Sequence, residues 1–285
     1  MENDEIPLSD KEFALIKDRV YQVAGISLSD AKRTLVVSRL SKIVRALEIT
    51  SFAAYIEFLQ SNRAGEANTQ DFVNALTTNL TRFYREDHHF DHLQDYIGDV
   101  IAKKSRAGGR PRLRIWSAGC STGQEPYTTA MCLMDKYPEL KRWDFKILAT
   151  DIDTNVLSKA AQGIYPEGEL AGLSEKRARI FERPGDGTIR IPAALRALIS
   201  FKQLNLNERW PMKGEFDAIF CRNVAIYFDK PTQNKMFTRL GELLTPGGFL
   251  YIGHSENMGA GSKGFSLVGK TIYQATKTEK SRNAA

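Results

Sequence analysis

Residues 113–126 read LRIWSAGCSTGQEP, and residues 144–153 read DFKILATDID. Each opens on an apolar run of strand length. The first then turns through Gly119 and Gly123, and the second ends in the acids Asp151 and Asp153. Downstream, ISFKQLNL (199–206), FDAIFCRN (216–223) and GGFLYIGH (247–254) are further apolar runs. The stretches 125–137, 155–162 and 231–244 between them are helical in character. Strand alternating with helix predicts an α/β fold with a mostly parallel sheet covered on both faces. Ligands of such a sheet bind beyond the carboxyl ends of the strands, at the switch point.

That location directs attention to the two acid-and-glycine turns. Gly119 and Gly123 permit a tight turn and close approach of the backbone to a ligand. Their spacing is not the GxGxxG that cradles a dinucleotide pyrophosphate, which disfavours NAD. A carboxylate at Asp151 is placed to accept hydrogen bonds from ribose hydroxyls. The alternative is an acidic helix N-cap at Asp151 or Asp153, and the two roles can fall to different members of the pair. A glycine turn and an acidic second strand end, without the pyrophosphate fingerprint, suggest S-adenosylmethionine.

The first 75 or so residues have a different pattern, that of short helices. Ser9 and Glu12 have capping-box spacing, Gly25 is a stop, and Ser29 is a cap for a second helix. Val36, Leu40, Ile43 and Leu47 form its apolar stripe, with Arg39, Lys42 and Arg45 running alongside. A third helix begins near Phe52 and a fourth follows the polar break at 62–68. The resulting division is a helical domain over 1–75, a linker over 76–110 and an α/β domain over 111–285. Within the last, the long stretch of about 168–199 contains PGDG (184–187) and reads as an inserted hairpin. FSLVGKTIYQAT (265–276) reads as a final antiparallel pair turning at Gly269-Lys270.

Composition bounds the function. With 285 residues, 42% hydrophobic and 26% charged, the chain is an ordinary globular protein. No apolar run reaches the roughly 18–20 residues of a membrane helix, and the acidic start MENDEIPLSD is unlike a secretory signal. Three sparse cysteines, Cys120, Cys132 and Cys221, fit a reduced compartment, so a cytoplasmic protein is expected. The net charge of +6 resolves into two basic spots, 31–47 and 100–115, rather than a basic protein. The second spot reads as a solvated linker. Nothing resembles a dimer seam, and a monomer is expected.

Five stretches together resemble the CheR family of chemotaxis receptor methyltransferases: TNLTRFYREDHHF (78–90), IWSAGCSTGQEPY (115–127), ATDIDTNVL (149–157), FDAIFCRNVAIYFDK (216–230) and GHSEN (253–257). The resemblance covers nearly the whole chain. It implies a small all-α N-terminal domain, a linker, and a Rossmann-like class I S-adenosylmethionine-dependent methyltransferase domain with an inserted antiparallel β-subdomain. The activity implied is methyl transfer to glutamate side chains on chemoreceptor helices, leaving S-adenosylhomocysteine. Carried over residue by residue, the cofactor contacts would be Asn79, Thr81, Arg85, Gly119 and Glu125, with Asp151 on the ribose. Asn205 and Leu206 would flank the adenine, and Arg222 and Asn223 would close the site. One departure is Gln124, where many relatives have a glutamate beside Glu125.

The chemistry narrows the roles. A glutamate nucleophile is already ionised at pH 7, so no general base is required, and none stands in a motif with an orienting partner. Reactants of opposite charge give neutral products, so Arg85 is expected to orient the carboxylate or cofactor. Its alternative is a salt bridge to Glu86 or Asp87. Tyr227 is the second candidate, as a donor aligning the nucleophile, with aromatic packing as its alternative. The row Arg39, Lys42, Arg45 would dock glutamate-rich receptor helices. No third ligand accompanies His88 and His92, so no metal is expected. Cys221 lacks the Pro-Cys context of base methyltransferases and reads as a buried thiol. A nucleic-acid methyltransferase would use the basic spots, but CRNVAIY (221–227) lacks the Asn/Asp-Pro-Pro-aromatic motif. A non-catalytic adaptor is the remaining alternative. Some family members bind a receptor's C-terminal pentapeptide by β-augmentation. The hairpin at 181–191 is about three residues shorter than theirs and contains Pro184, so no tether is expected.

Overall fold

The computed structural model describes residues 6–61, 63–105, 110–259 and 263–276. Helix α1 (Asp10–Ala24) opens on the full capping box, with Ser9 Oγ accepting from the Glu12 N–H and Glu12 Oε2 accepting from the Ser9 N–H at 2.9 Å. It ends at Gly25, whose φ of 72° suits a residue without Cβ. Ser29 is not the cap of the second helix. It precedes a 3-10 turn over Asp30–Lys32 with no side-chain cap bond, and α2 (Arg33–Ala46) begins after it. Helices α3 (Phe52–Gln60) and α4 (Gly65–Leu76) complete the domain. Val36, Leu40 and Val44 are its deepest α2 positions, spaced four apart, while Ile43 and Leu47 are only half-buried. They pack against Ile16, Phe52, Tyr55 and Phe72.

The linker leads into α5 (His88–Lys104). The α/β order then runs β1 (Arg112–Ala118), α6 (Gln124–Lys136), β2 (Asp144–Asp151), α7 (Thr154–Gln162), β3 (Ile164–Pro166), α8 (Glu175–Ala178), β4 (Thr188–Arg190), α9 (Ala193–Arg196), β5 (Ile199–Gln203), β6 (Phe216–Cys221), α10 (Lys230–Glu242), β7 (Leu244–Ile252), β8 (Phe265–Gly269) and β9 (Ile272–Ala275). The seven-stranded sheet has the order β5-β2-β1-β6-β7-β9-β8. It is parallel from β5 to β7, and β9 lies antiparallel to both β7 and β8. This is the doubly wound, class I methyltransferase arrangement with its switch point at β1.

Alternation along the strands builds two cores. Ile115, Phe220 and Tyr251 face one side, against Phe90, Leu93 and Ile97 of α5 and Tyr127 and Met131 of α6. Trp116, Ile219 and Leu250 face the other, against Met236, Phe237 and Leu240 of α10. The separate small sheet pairs β3 with β4 antiparallel, and a lone bridge joins Glu182 to Arg190 on the other side of β4. Its first strand therefore precedes Gly168.

The second basic spot is tied into the fold in part, while Lys103, Arg110 and Arg112 are exposed as expected. Lys104 donates to Asp217 at 2.6 Å, Arg114 pairs with Asp144, and Arg112 donates to the Glu215 carbonyl; Arg106 lies outside the described residues. Among the described residues no helix is long and apolar enough to cross a membrane.

Candidate functional site

A cleft opens at the carboxyl ends of β1, β2 and β6, walled on its outer side by the linker and by Ala24 and Ile26 of the helical domain. Every cofactor candidate read from the sequence lines it: Asn79, Thr81, Arg85, Gly119, Glu125, Asp151, Asn205, Leu206, Arg222 and Asn223. Tyr227 lines it too.

The glycine turn and the acidic strand end are built as one piece. The N–H groups of Gly119 and Cys120 both donate to the Thr150 carbonyl, at 2.7 and 2.9 Å. A Cβ at Gly119 would sit 2.3 Å from Val224 Cγ2, so only glycine fits. Ser121 follows in a left-handed conformation and donates its N–H to Asp151 Oδ2 at 2.8 Å. Asp151 Oδ1 accepts from the Asp153 N–H. Asp153 is the cap of α7, through the N–H groups of Asn155 and Val156. Of the two acids, Asp151 faces the cleft, and its burial raises its pKa against those backbone hydrogen bonds.

The linker is fastened across this wall. Thr77 Oγ1 and Asn79 Nδ2 both donate to Asp153 Oδ2 at 2.7 Å, and Ser121 Oγ donates to the Asn79 carbonyl. The Asn79 amide is thus spent on the protein. So is that of Asn205, whose Nδ2 donates to the Val23 carbonyl and to Glu208. Both shape the cleft, with Leu206 supplying an apolar face.

Arg85 makes no salt bridge to Glu86 or Asp87. Asp87 pairs with Arg177, Glu86 with Arg222 and His254, while Arg85 donates to the Leu80 carbonyl at 2.9 Å. Tyr227 donates its hydroxyl to the Thr78 carbonyl at 3.3 Å, and burial raises its pKa, so it stays a donor at neutral pH. Glu125, on the first turn of α6, accepts from Ser117 Oγ at 2.7 Å and lies 3.3 Å from Arg222. Burial raises its pKa and Arg222 opposes the rise.

Three residues of this architecture carry roles that the motifs alone did not reveal. Glu256 of GHSEN is buried and accepts the N–H groups of Asn223, Gly253 and Ile226, binding the loops after β6 and β7 together. Glu86 and His254 form a contact across the same wall. All three lie inside quoted motifs, which was the available signal.

Other candidates resolve differently. Gln124 does not line the cleft; its amide meets Thr122 and Glu169 on the side of the small sheet. Arg39 donates to the carbonyls of Ala75 and Thr77, leaving Lys42 and Arg45 as the exposed cations of its row. His88 contacts the Lys270 carbonyl and His92 the Tyr251 hydroxyl. Cys221 is a buried free thiol.

The chain matches two family models: the CheR methyltransferase all-alpha domain over residues 11–77 and the CheR methyltransferase SAM binding domain over residues 79–274. It is 45% identical to chemotaxis protein methyltransferase 2 of Pseudomonas aeruginosa, over 95% of each chain. It is 44% identical to a probable chemotaxis protein methyltransferase of Rhizobium etli, covering 93% of this chain and all of that one. It is 43% identical to the chemotaxis protein methyltransferase of Escherichia coli, over 96% of this chain and 94% of the other. S-adenosylmethionine is the cofactor, and the donor set fits it: a strand-end carboxylate for the ribose diol, a buried acid for an ammonium, and apolar Leu206, Ile152 and Phe228 for a base. The chain belongs to the CheR family of S-adenosylmethionine-dependent methyltransferases.

Proposed function

We propose that the protein methylates glutamate side chains on the cytoplasmic methylation helices of chemoreceptors, forming glutamate methyl esters. The observation that carries this reading is the state of the carboxylates around the cleft. Asp151 accepts two backbone N–H groups, Glu125 accepts Ser117 and faces Arg222, and Glu256 accepts three N–H groups. A nucleophile that must lose a proton would want a free base here. A glutamate carboxylate is ionised at pH 7 and needs none.

The cofactor supplies the activated methyl group on its sulfonium. The chain's own work is then position and electrostatics. Asp151 is suited to the ribose hydroxyls, and Glu125 to the ammonium of the amino-acid tail. Arg85 and Tyr227, each held by a carbonyl of the linker, are suited to aligning the incoming carboxylate. Arg85 would orient the carboxylate rather than neutralise it, because full neutralisation would oppose a transfer in which the reactants' charges vanish. Lys42 and Arg45 support approach of an acidic helix. Three buried free cysteines fit work in the cytoplasm.

The test is incubation with methyl-labelled S-adenosylmethionine and receptor cytoplasmic fragments. Label released as methanol by mild alkali is the expected result. Label that resists alkali would point to an amine or ring nitrogen as acceptor and overturn the ester.

A further inference from the structure

Arg222 is a guanidinium shared between two carboxylates. Its side chain is 2% exposed; Nη1 lies 3.3 Å from Glu125 Oε2 and Nη2 lies 3.4 Å from Glu86 Oε2. The two distances are nearly equal, and both exceed a short charge-assisted hydrogen bond of roughly 2.7–2.9 Å. The cation is therefore committed to neither acid. Nη2 also donates to the Arg85 carbonyl, so the same group fixes the backbone that presents Arg85.

Glu86 does not line the cleft, yet it is held firmly. Oε1 accepts the Nδ1 of His254 at 3.0 Å and its main-chain N–H at 3.3 Å. The remaining neighbour of its Oε2, His89 Nδ1 at 3.5 Å, belongs to a ring whose pKa burial lowers to about 3, so His89 is neutral. Tyr84 and Glu86, on either side of Arg85, both have φ of 57°. Two left-handed non-glycine residues around a cleft residue persist only where the surroundings enforce them.

We propose that Glu86 is a positioning residue for cofactor binding: by drawing Arg222 away from Glu125, it leaves Glu125 enough negative charge to take the cofactor's ammonium. Of the two acids that share this guanidinium, only Glu125 faces the cleft. Without the charge on Glu86, Arg222 would close on Glu125 and neutralise it. This rests on the reading of the cleft given above, in which Glu125 meets the amino-acid tail.

The test compares two ligands by calorimetry. S-adenosylhomocysteine carries the ammonium; 5′-methylthioadenosine has the same nucleoside thioether without the amino-acid tail. Glu86→Gln is expected to weaken S-adenosylhomocysteine by about tenfold or more, the size of one charge-assisted hydrogen bond, and to leave methylthioadenosine unchanged. Equal losses for both ligands would make Glu86 a structural residue only, and no loss for the homocysteine ligand would equally overturn the proposal. Should the glutamine variant fail to fold, Glu86→Asp carries the test, since its carboxylate stops one methylene short of Arg222. The same selective loss of a few-fold is then expected, and an unselective loss or none overturns it. Failure of the unaltered protein to bind either ligand would instead overturn the assignment of the cleft.

Discussion

Asp151 Oδ2 accepts the main-chain N–H of Ser121 at 2.8 Å, so the acid at the end of β2 fixes the turn that follows β1. Two walls of the cleft are thereby one unit. Asp151→Ala should remove a ribose acceptor, costing about 1.5–3 kcal/mol of cofactor binding per lost hydrogen bond. It also strands the N–H groups of Ser121 and Asp153, at roughly 1–3 kcal/mol of stability for each that stays dry. Calorimetry and urea unfolding should both register the change. Unaltered cofactor affinity would remove Asp151 from the site.

Arg85 and Tyr227 hang from neighbouring carbonyls of the linker, those of Leu80 and Thr78. Replacing Arg85 by Ala, or Tyr227 by Phe, should lower turnover more than it weakens S-adenosylhomocysteine. For Tyr227→Phe the loss of the hydroxyl, whose one proton would turn from the Thr78 carbonyl to the incoming carboxylate, should cost about tenfold in kcat. Single-turnover rates beside calorimetry separate the two effects. Equal losses would reduce either residue to a cofactor contact.

A buried neutral histidine makes stability fall in acid. Burial lowers His89 from its ordinary 6.5 to about 3, so the unfolded chain binds the proton first. The His89 contribution is complete above pH 6.5 and is lost as pH falls toward 3. Between pH 7 and pH 5.5 this costs about 1 kcal/mol. Urea unfolding at the two pH values should show that difference, and His89→Gln should remove it whatever its own stability at pH 7.

Much of this architecture can be read along the chain. Strands β1, β2, β6 and β7 carry their burial as apolar runs, and Ser9, Gly25 and Asp153 cap helices by local bonds between near neighbours. The turn at Gly119 is legible from its glycines alone, although Thr150 and Val224, which fix it, lie far along the chain. What escapes is whatever depends on residues far apart in sequence. Arg39 looks like a surface cation in the row of α2 until the carbonyls of Ala75 and Thr77 arrive beside it. Gln124 adjoins Glu125 in sequence but points to the opposite side of the helix start. Glu86 and Glu256 take their partners from loops more than a hundred and about thirty residues away, respectively.

The row on α2 therefore predicts two different phenotypes. Lys42 and Arg45 are exposed, and reversing both to Glu should slow methylation of an acidic receptor helix at low salt while sparing cofactor affinity, the gap closing as salt rises. Arg39→Ala should instead lower stability, because it frees the chain at the junction of α4 with the linker. Methylation that is indifferent to both surface reversals would move receptor docking elsewhere.

The small sheet decides whether a receptor peptide can be added as a further strand. Strand β4 is flanked by β3 on one side and by the bridge at Glu182 on the other, so its own edges are taken. The outer edge of β3 is three residues long and includes Pro166, which has no N–H to donate. On the Glu182 side, only one bridge extends the sheet before Pro184 and the turn at Gly185. Strand addition draws its affinity from a row of main-chain hydrogen bonds, and neither edge offers a long one. The protein should therefore recognise its methylation helices directly, without a C-terminal pentapeptide as tether. Calorimetric titration with receptor C-terminal pentapeptides should show no binding in the micromolar range. Micromolar binding that competes with methylation of the intact receptor would mean that the short edge suffices, and would restore the tether.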